Sequence, residues 1–374
     1  MTAAVSRRTL FGIGGGAATL ALASAPVRAA AATSTSANPF PPPAELAFLA
    51  RNENPYGPSP KALKALADMG SAGCYYSGRG EEKLIAMIAE AHGLTPDHVL
   101  MGSGSSEVLN CATMALSGGG HILTADLTFD PPVRYAEAKG AAVKRVPLAA
   151  DMQIDLPAMQ AAVGPDTKLV HVCNPNNPTG LLLPNAALRS FAAAVSPKAV
   201  VLIDEAYNEL TSDPAAFSLI DRVRAGDNVI VARTFSKIYG LAGMRVGYAL
   251  ARPDIIAKMR PWSMNVGGNT GGLAAAIATY PDTAFLAYSK AKVVEAREMI
   301  EAAAKSAGLP ALKSAGNFVF VKVPDAEAVR QRMEAKGIII REPYGKWTEW
   351  SRVSCGKIED VARYTAALPE VVRA

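Results

Sequence analysis

Along most of the chain, short apolar runs alternate with longer segments in which apolar residues recur every three or four positions. The short runs at 121–124, 142–146, 168–173, 200–203, 229–232 and 246–250 predict strands. Several are continuous and β-branched, as strands covered on both faces should be. The longer segments at 81–92, 106–116, 185–195 and 284–307 predict helices. This alternation points to an α/β fold around a largely parallel sheet. After Gly308 the runs shorten: strands at 318–323, 337–341 and 352–354 mix with helices at 326–336 and 358–369, the pattern of a smaller α+β domain. Gly267, Gly268, Gly271 and Gly272 give the chain freedom to turn, which puts the boundary between Trp262 and Gly272. The expected division is an arm at 46–69 packing with the small domain, a large domain at 70–266 and the small domain at 267–374.

The start of the chain follows another pattern. Ser6-Arg7-Arg8-Thr9-Leu10-Phe11 opens an uncharged stretch rich in Gly, Ala and Leu, followed by small residues around Arg28. That is the pattern of a twin-arginine export signal over 1–32, which predicts a periplasmic protein. Gly12 and Gly14 to Gly16 make the run too weakly apolar for a membrane span. Residues 33–45, rich in Ser, Thr, Pro and Ala, lack hydrophobic periodicity and predict a flexible tether.

With 374 residues, half of them hydrophobic, the chain has material for two packed domains. Its net charge is +5 and three of the arginines fall in the leader, so no basic surface for nucleic acid is expected. Four cysteines stand far apart without a C-x-x-C pair, and the four histidines share no ligand spacing with them, so no metal site is expected. Export would allow one or two disulfides, but Cys111 and Cys173 lie in apolar surroundings and read more simply as core residues.

Candidate chemistry gathers where predicted strands end. Lys237, in Arg233-Thr234-Phe235-Ser236-Lys237, follows an apolar run. A lysine at the foot of a buried strand loses water, and its neutral amine becomes available to attack an aldehyde. Ser236 and Arg245 stand close enough in sequence to share one phosphate group. The run 200–203 delivers Asp204 to the edge where open α/β sheets bind ligands. A carboxylate there keeps a pyridine nitrogen protonated, so that the ring accepts electrons. Tyr207 would donate to a phenolate oxygen on the same ring. Asn174-Pro175-Asn176-Asn177-Pro178-Thr179-Gly180, stiffened by two prolines, would hold the Asn176 amide against a cofactor oxygen, with a cis bond before Pro178 conceivable. Gly104 and Ser105, opening a helix, would cradle phosphate with free backbone N–H groups.

These motifs, with Asn52-Glu53-Asn54-Pro55-Tyr56-Gly57-Pro58, resemble the histidinol-phosphate aminotransferase branch of the class I/II, fold-type I enzymes that use pyridoxal phosphate; the resemblance runs from about Leu49 to the C-terminus. It implies that Lys237 forms the covalent link to the cofactor aldehyde, Asp204 meets the ring nitrogen, and Asn176 and Tyr207 meet the ring oxygen. Gly104, Ser105, Ser236 and Arg245 would hold the phosphate. Phe129 falls where the family stacks a tyrosine on the ring. Tyr76 matches a tyrosine that reaches the partner subunit's cofactor phosphate in a homodimer. Asn54, Tyr56, Arg341 and Arg352 fall at substrate-contacting positions, with Arg352 gripping a carboxylate. The implied reaction moves an amino group between an amino acid, or an amine such as histidinol phosphate, and a 2-oxo acid in two ping-pong halves. The same scaffold also serves racemases, decarboxylases and lyases, or a module that binds the cofactor without turnover. Two segments depart from the family: the glycine-rich 267–272 and Glu342-Pro343-Tyr344-Gly345-Lys346-Trp347.

Overall fold

The structure, a computed structural model, describes Phe40, residues 42–265 and residues 267–373. The expected leader and most of the 33–45 tether therefore lie outside the described residues. In chain order the strands are β1 (Ala47–Leu49), β2 (Val99–Gly102), β3 (His121–Ala125), β4 (Ala142–Val146), β5 (Thr167–Cys173), β6 (Val200–Asp204), β7 (Val229–Thr234), β8 (Gly247–Leu250), β9 (Phe318–Lys322), β10 (Ile338–Ile340) and β11 (Trp350–Ser354). The helices are α1 (Pro60–Asp68), α2 (Gly78–Ala91), α3 (Ser105–Leu116), α4 (Pro131–Ala138), α5 (Leu156–Ala162), α6 (Asn185–Val195), α7 (Ile220–Arg224), α8 (Pro253–Met259), α9 (Thr270–Thr279), α10 (Thr283–Ser306), α11 (Ala326–Ala335) and α12 (Ile358–Val371).

Seven strands form one sheet in the order β2-β8-β7-β6-β5-β3-β4, in which β8 alone runs against the others. Successive side chains alternate between its faces. Val201 and Ile203 enter one core layer with Leu188 and Phe191 of α6, whereas Leu202 enters the other with Val108 and Leu109 of α3. Both faces are covered, which is why these runs are apolar without interruption. Each fully buried aliphatic side chain stabilises the fold by roughly 1.5–3 kcal/mol. Because β3, β5, β6 and β7 are parallel, the residues that follow them emerge along a single edge.

Two smaller sheets complete the architecture. β9 and β11 pair antiparallel, with Arg352 opposite Phe320. β1 pairs parallel with β10, so residues near the start of the described chain join a strand near its end. The glycine-rich 267–272 is irregular only in its first half, and its second half enters a helix. Asn269 caps α9, and Gly271 and Gly272 form its first turn. A Cβ at Gly272 would collide with the Met244 carbonyl, so glycine there permits close packing rather than a bend. All four cysteines are free; Cys111 and Cys173 are buried, as their surroundings predicted. No helix of the described residues is long and apolar enough to cross a membrane.

Candidate active site

The sheet edge opens into a cavity of about 1060 Å³ whose lining includes Ser105, Phe129, Asp204, Tyr207, Ser236, Lys237, Arg245, Arg341 and Arg352. Lys237 lies one turn beyond β7, with Nζ donating to the Asn52 carbonyl at 3.1 Å. Burial draws its ammonium down to about 8, and the nearby Arg352 adds to the effect. Asp204, the last residue of β6, shows the opposite response: burial pushes its carboxyl up to about 6, against a backbone N–H from Ala206 at 3.1 Å. Low polarizability around both groups disfavours each charged form. On the reverse face, Arg233 donates to Glu205 at 2.7 Å and 3.1 Å, to Glu209 at 3.2 Å and to Asn208 at 3.0 Å. Strand alternation thus sets a buried ion network directly behind the two chemical groups and ties the ends of β6 and β7 together.

Tyr207 is fully buried, and its hydroxyl accepts from Asn52 Nδ2 at 3.1 Å and Asn177 Nδ2 at 3.3 Å. With both lone pairs occupied, the phenolic proton is left to donate into the cavity. Here the structure corrects the choice of Asn176. That side chain is spent inside its own turn, donating to the Leu127 carbonyl and Thr179 and accepting from Thr128. Asn177 lines the cavity instead. Consecutive residues point opposite ways in this turn, and type and spacing alone did not say which amide faced inward. The peptide bonds before Pro175 and Pro178 are both cis.

At one end of the cavity α3 presents Ser105 and Ser106, whose first-turn N–H groups precede any intrahelical acceptor. Gly104 caps this helix at φ 76°, and a Cβ there would strike the Arg245 guanidinium. Arg245 donates to the Ser103 carbonyl at 3.1 Å and to Ser236 Oγ at 3.4 Å. Gly104, Ser105, Ser236 and Arg245 therefore form one cluster of cation, hydroxyls and helix N-terminus, suited to a phosphate. Phe129 lines the wall close by.

The substrate-side expectations divide. Arg352 lines the cavity with a side chain only 5% exposed, held by Asn177 Oδ1 at 2.9 Å and the Ala50 carbonyl at 2.6 Å. Its guanidinium lies 5.5 Å from the Phe318 ring and 5.7 Å from the Tyr344 ring, and its Nε has no partner. Arg341 also lines the cavity, 5.8 Å from the same Tyr344 ring. Asn54 and Tyr56 do not reach it. Asn54 donates to the Ile238 carbonyl and Ser289, and the Tyr56 hydroxyl accepts from the Ile358 N–H. Sequence reasoning missed Asn52 in the same motif. At φ 54°, Asn52 bonds to Lys237, Tyr207, Ser354 and Asn317 at once. Tyr76 stands outside the cavity, 85% exposed in the single chain.

These residues fit pyridoxal phosphate: a buried carboxylate for a ring nitrogen, a free phenolic proton for a ring oxygen, a lysine drawn towards the amine and a cradle kept clear by glycine. The comparisons agree. The model of the family "Aminotransferase class I and II" matches residues 45–368. The chain is 37% identical over 334 residues to histidinol-phosphate aminotransferase 1 of Dechloromonas aromatica, covering 88% of this chain and 91% of that protein. It is 35% identical to the histidinol-phosphate aminotransferase of Moorella thermoacetica, covering 87% and 85%. Among solved structures it is similar to histidinol-phosphate aminotransferase from Sinorhizobium meliloti in complex with pyridoxal-5'-phosphate, with a TM-score of 0.80 and 31% identity over 88% of this chain and 91% of that one. The chain belongs to the class I and II aminotransferases and is a pyridoxal-phosphate-dependent transaminase with the fold-type I architecture.

Proposed function

We propose that this transaminase moves an amino group between an α-amino acid and a 2-oxo acid, with Arg352 receiving the carboxylate of each. One observation carries the reading. Arg352 is a buried cation with no acidic partner among the described residues, and its Nε points at no acceptor there. A guanidinium stripped of water is costly unless an anion completes it, and a carboxylate matches its paired donors. The names of the relatives support histidinol phosphate as a donor, and aromatic amino acids suit the aromatic lining at Phe129 and Tyr344.

When bound, pyridoxal phosphate supplies an aldehyde that joins an amine and a ring that withdraws electrons from the substrate α-carbon. Asp204 would keep a proton on the ring nitrogen, and that cation would reverse the upward pull of burial on the carboxyl. Tyr207 and Asn177 would hold the ring oxygen, Phe129 would lie against the ring, and Gly104, Ser105, Ser236 and Arg245 would hold the phosphate. The Lys237 amine would take the proton from the substrate α-carbon and later return one. In the first half an amino acid leaves as an oxo acid, and in the second an oxo acid leaves as an amino acid.

Incubating the purified protein with a panel of amines and 2-oxoglutarate tests the reading by cofactor absorbance. Transamination requires the spectrum to cycle with donor and acceptor; product formed without cycling would indicate racemase, decarboxylase or lyase chemistry. Lys237→Ala should lose the borohydride-reducible link between cofactor and chain.

The exposed Tyr76 supports a homodimer in which it reaches the partner subunit's cofactor phosphate, and Tyr76→Ala should weaken cofactor retention. The Ser6-Arg7-Arg8 leader supports periplasmic export, which cell fractionation tests after Arg7→Lys and Arg8→Lys.

A further inference from the structure

The departure at Glu342–Trp347 has a defined place in the fold. This segment joins β10 to β11, and Pro343 through Trp347 line the cavity. Its turn is closed by the Trp347 N–H on the Tyr344 carbonyl at 2.9 Å, with Gly345 in the left-handed region at φ 52°. Aromatic packing roots it. Tyr344 meets the buried Phe320 edge-on at 6.1 Å, and Trp350 stacks on the same ring at 5.0 Å. Its tip is fastened elsewhere. Lys346 Nζ reaches Asp126 Oδ2 at 2.9 Å and lies 5.0 Å above the Trp347 ring. Asp126 follows β3 of the large sheet, and its other oxygen accepts the Leu148 N–H at 3.3 Å. One ion pair thus spans the cavity from the β9–β11 pair to the seven-stranded sheet, and Trp347 is held beside it.

We propose that the Tyr344–Trp347 turn is the specificity-determining wall of this site: Trp347 limits the room for the substrate side chain, and the Lys346–Asp126 pair fastens the wall. The proposal rests on the transaminase reading. Tyr344 already contacts both Arg352 and Arg341, so a substrate whose carboxylate sits on Arg352 extends its side chain past this ring towards Trp347. The fastening is modest: Asp126 is largely buried, but Lys346 is 71% exposed, and water around its ammonium weakens the pair. It therefore releases without unfolding anything beneath it.

The test compares wild-type holoenzyme with Lys346→Met, Lys346→Arg and Trp347→Ala. Acrylamide quenching of the Trp347 fluorescence, taken as the difference from Trp347→Phe, reads the fastening without any turnover. Lys346→Met should raise that quenching, and Lys346→Arg should restore it. In the half-reaction, Lys346→Met should raise KM by about two- to fivefold, the range of an exposed pair, and remove the dependence of KM on salt expected of the wild type. Trp347→Ala should shift the kcat/KM ratio of phenylalanine to alanine by about tenfold towards phenylalanine, as loss of a pocket wall does. The proposal is overturned if quenching is the same in Lys346→Met and wild type, or if Trp347→Ala leaves the donor ratio unchanged. A wild type that converts no amine at all sinks the transaminase reading, whereas quenching still decides the fastening.

Discussion

Asp204→Asn should make the cofactor-free protein more stable while removing its ability to work. Burial raises the carboxyl from 3.8 to about 6. At about 1.4 kcal/mol for each tenfold in the proton equilibrium, that rise corresponds to about 3 kcal/mol. The sign follows from which state binds the proton more tightly. A folded value above the unfolded one gives stability that is full below 3.8 and lost as pH rises through about 6. At pH 7.5 the cofactor-free protein therefore carries a buried carboxylate without a compensating cation on the ring side. Asparagine has the same shape, is neutral and can still accept the Ala206 N–H. In urea titrations at pH 7.5 the stripped variant should exceed stripped wild type by about 3 kcal/mol, and linkage shrinks the gap to about half at pH 5. With cofactor added the order should reverse, because the ring nitrogen loses its counter-charge. A stripped variant no more stable than wild type at pH 7.5, or a gap that ignores acidification, would refute the argument that the site is held in tension until the cofactor arrives.

Two further outcomes follow from the same geometry. Arg352→Gln removes a charge-assisted pair worth roughly 1.5–3 kcal/mol, so KM for α-amino acids in the half-reaction should rise by roughly ten- to hundredfold; an unchanged KM would place the carboxylate elsewhere. Arg233→Met leaves Glu205 buried without its cation and should cost about 3–5 kcal/mol in urea unfolding, with Arg233→Lys recovering only part because one ammonium cannot reproduce the fork to Glu205 and Glu209.

The parallel sheet was legible because continuous β-branched runs such as Val200 to Ile203 have few other places to go. Asp204 and Lys237 were legible for the same reason: a charged residue directly after a buried strand must lie at the ligand edge. β1 and β2 escaped notice, being three and four residues long and too short for alternation to register. α9 escaped because glycines read as a break in sequence, yet here they serve close contact with the Met244 carbonyl. The inward amide of the Asn174 turn was not legible at all, since Asn176 and Asn177 are chemically identical and only the local backbone separates them. Asn52, Asn54 and Tyr56 pose the same problem: the motif marked the right segment, and its left-handed residue decided which side chain faced the cavity.

Asn52 also has a bearing on when the enzyme can come into being. Its backbone N–H and side chain are held by Ser354, 302 positions later, while its carbonyl receives Lys237. A ribosome must release nearly the whole polypeptide before that knot can be tied, and loop closure over so long a span is slow. A chain cut before Ser354 would keep the Asn52 carbonyl and lose the hydroxyl that fixes Asn52 beside Lys237. Asn52 therefore couples the last strand of the described chain to the carbonyl beside the reacting amine.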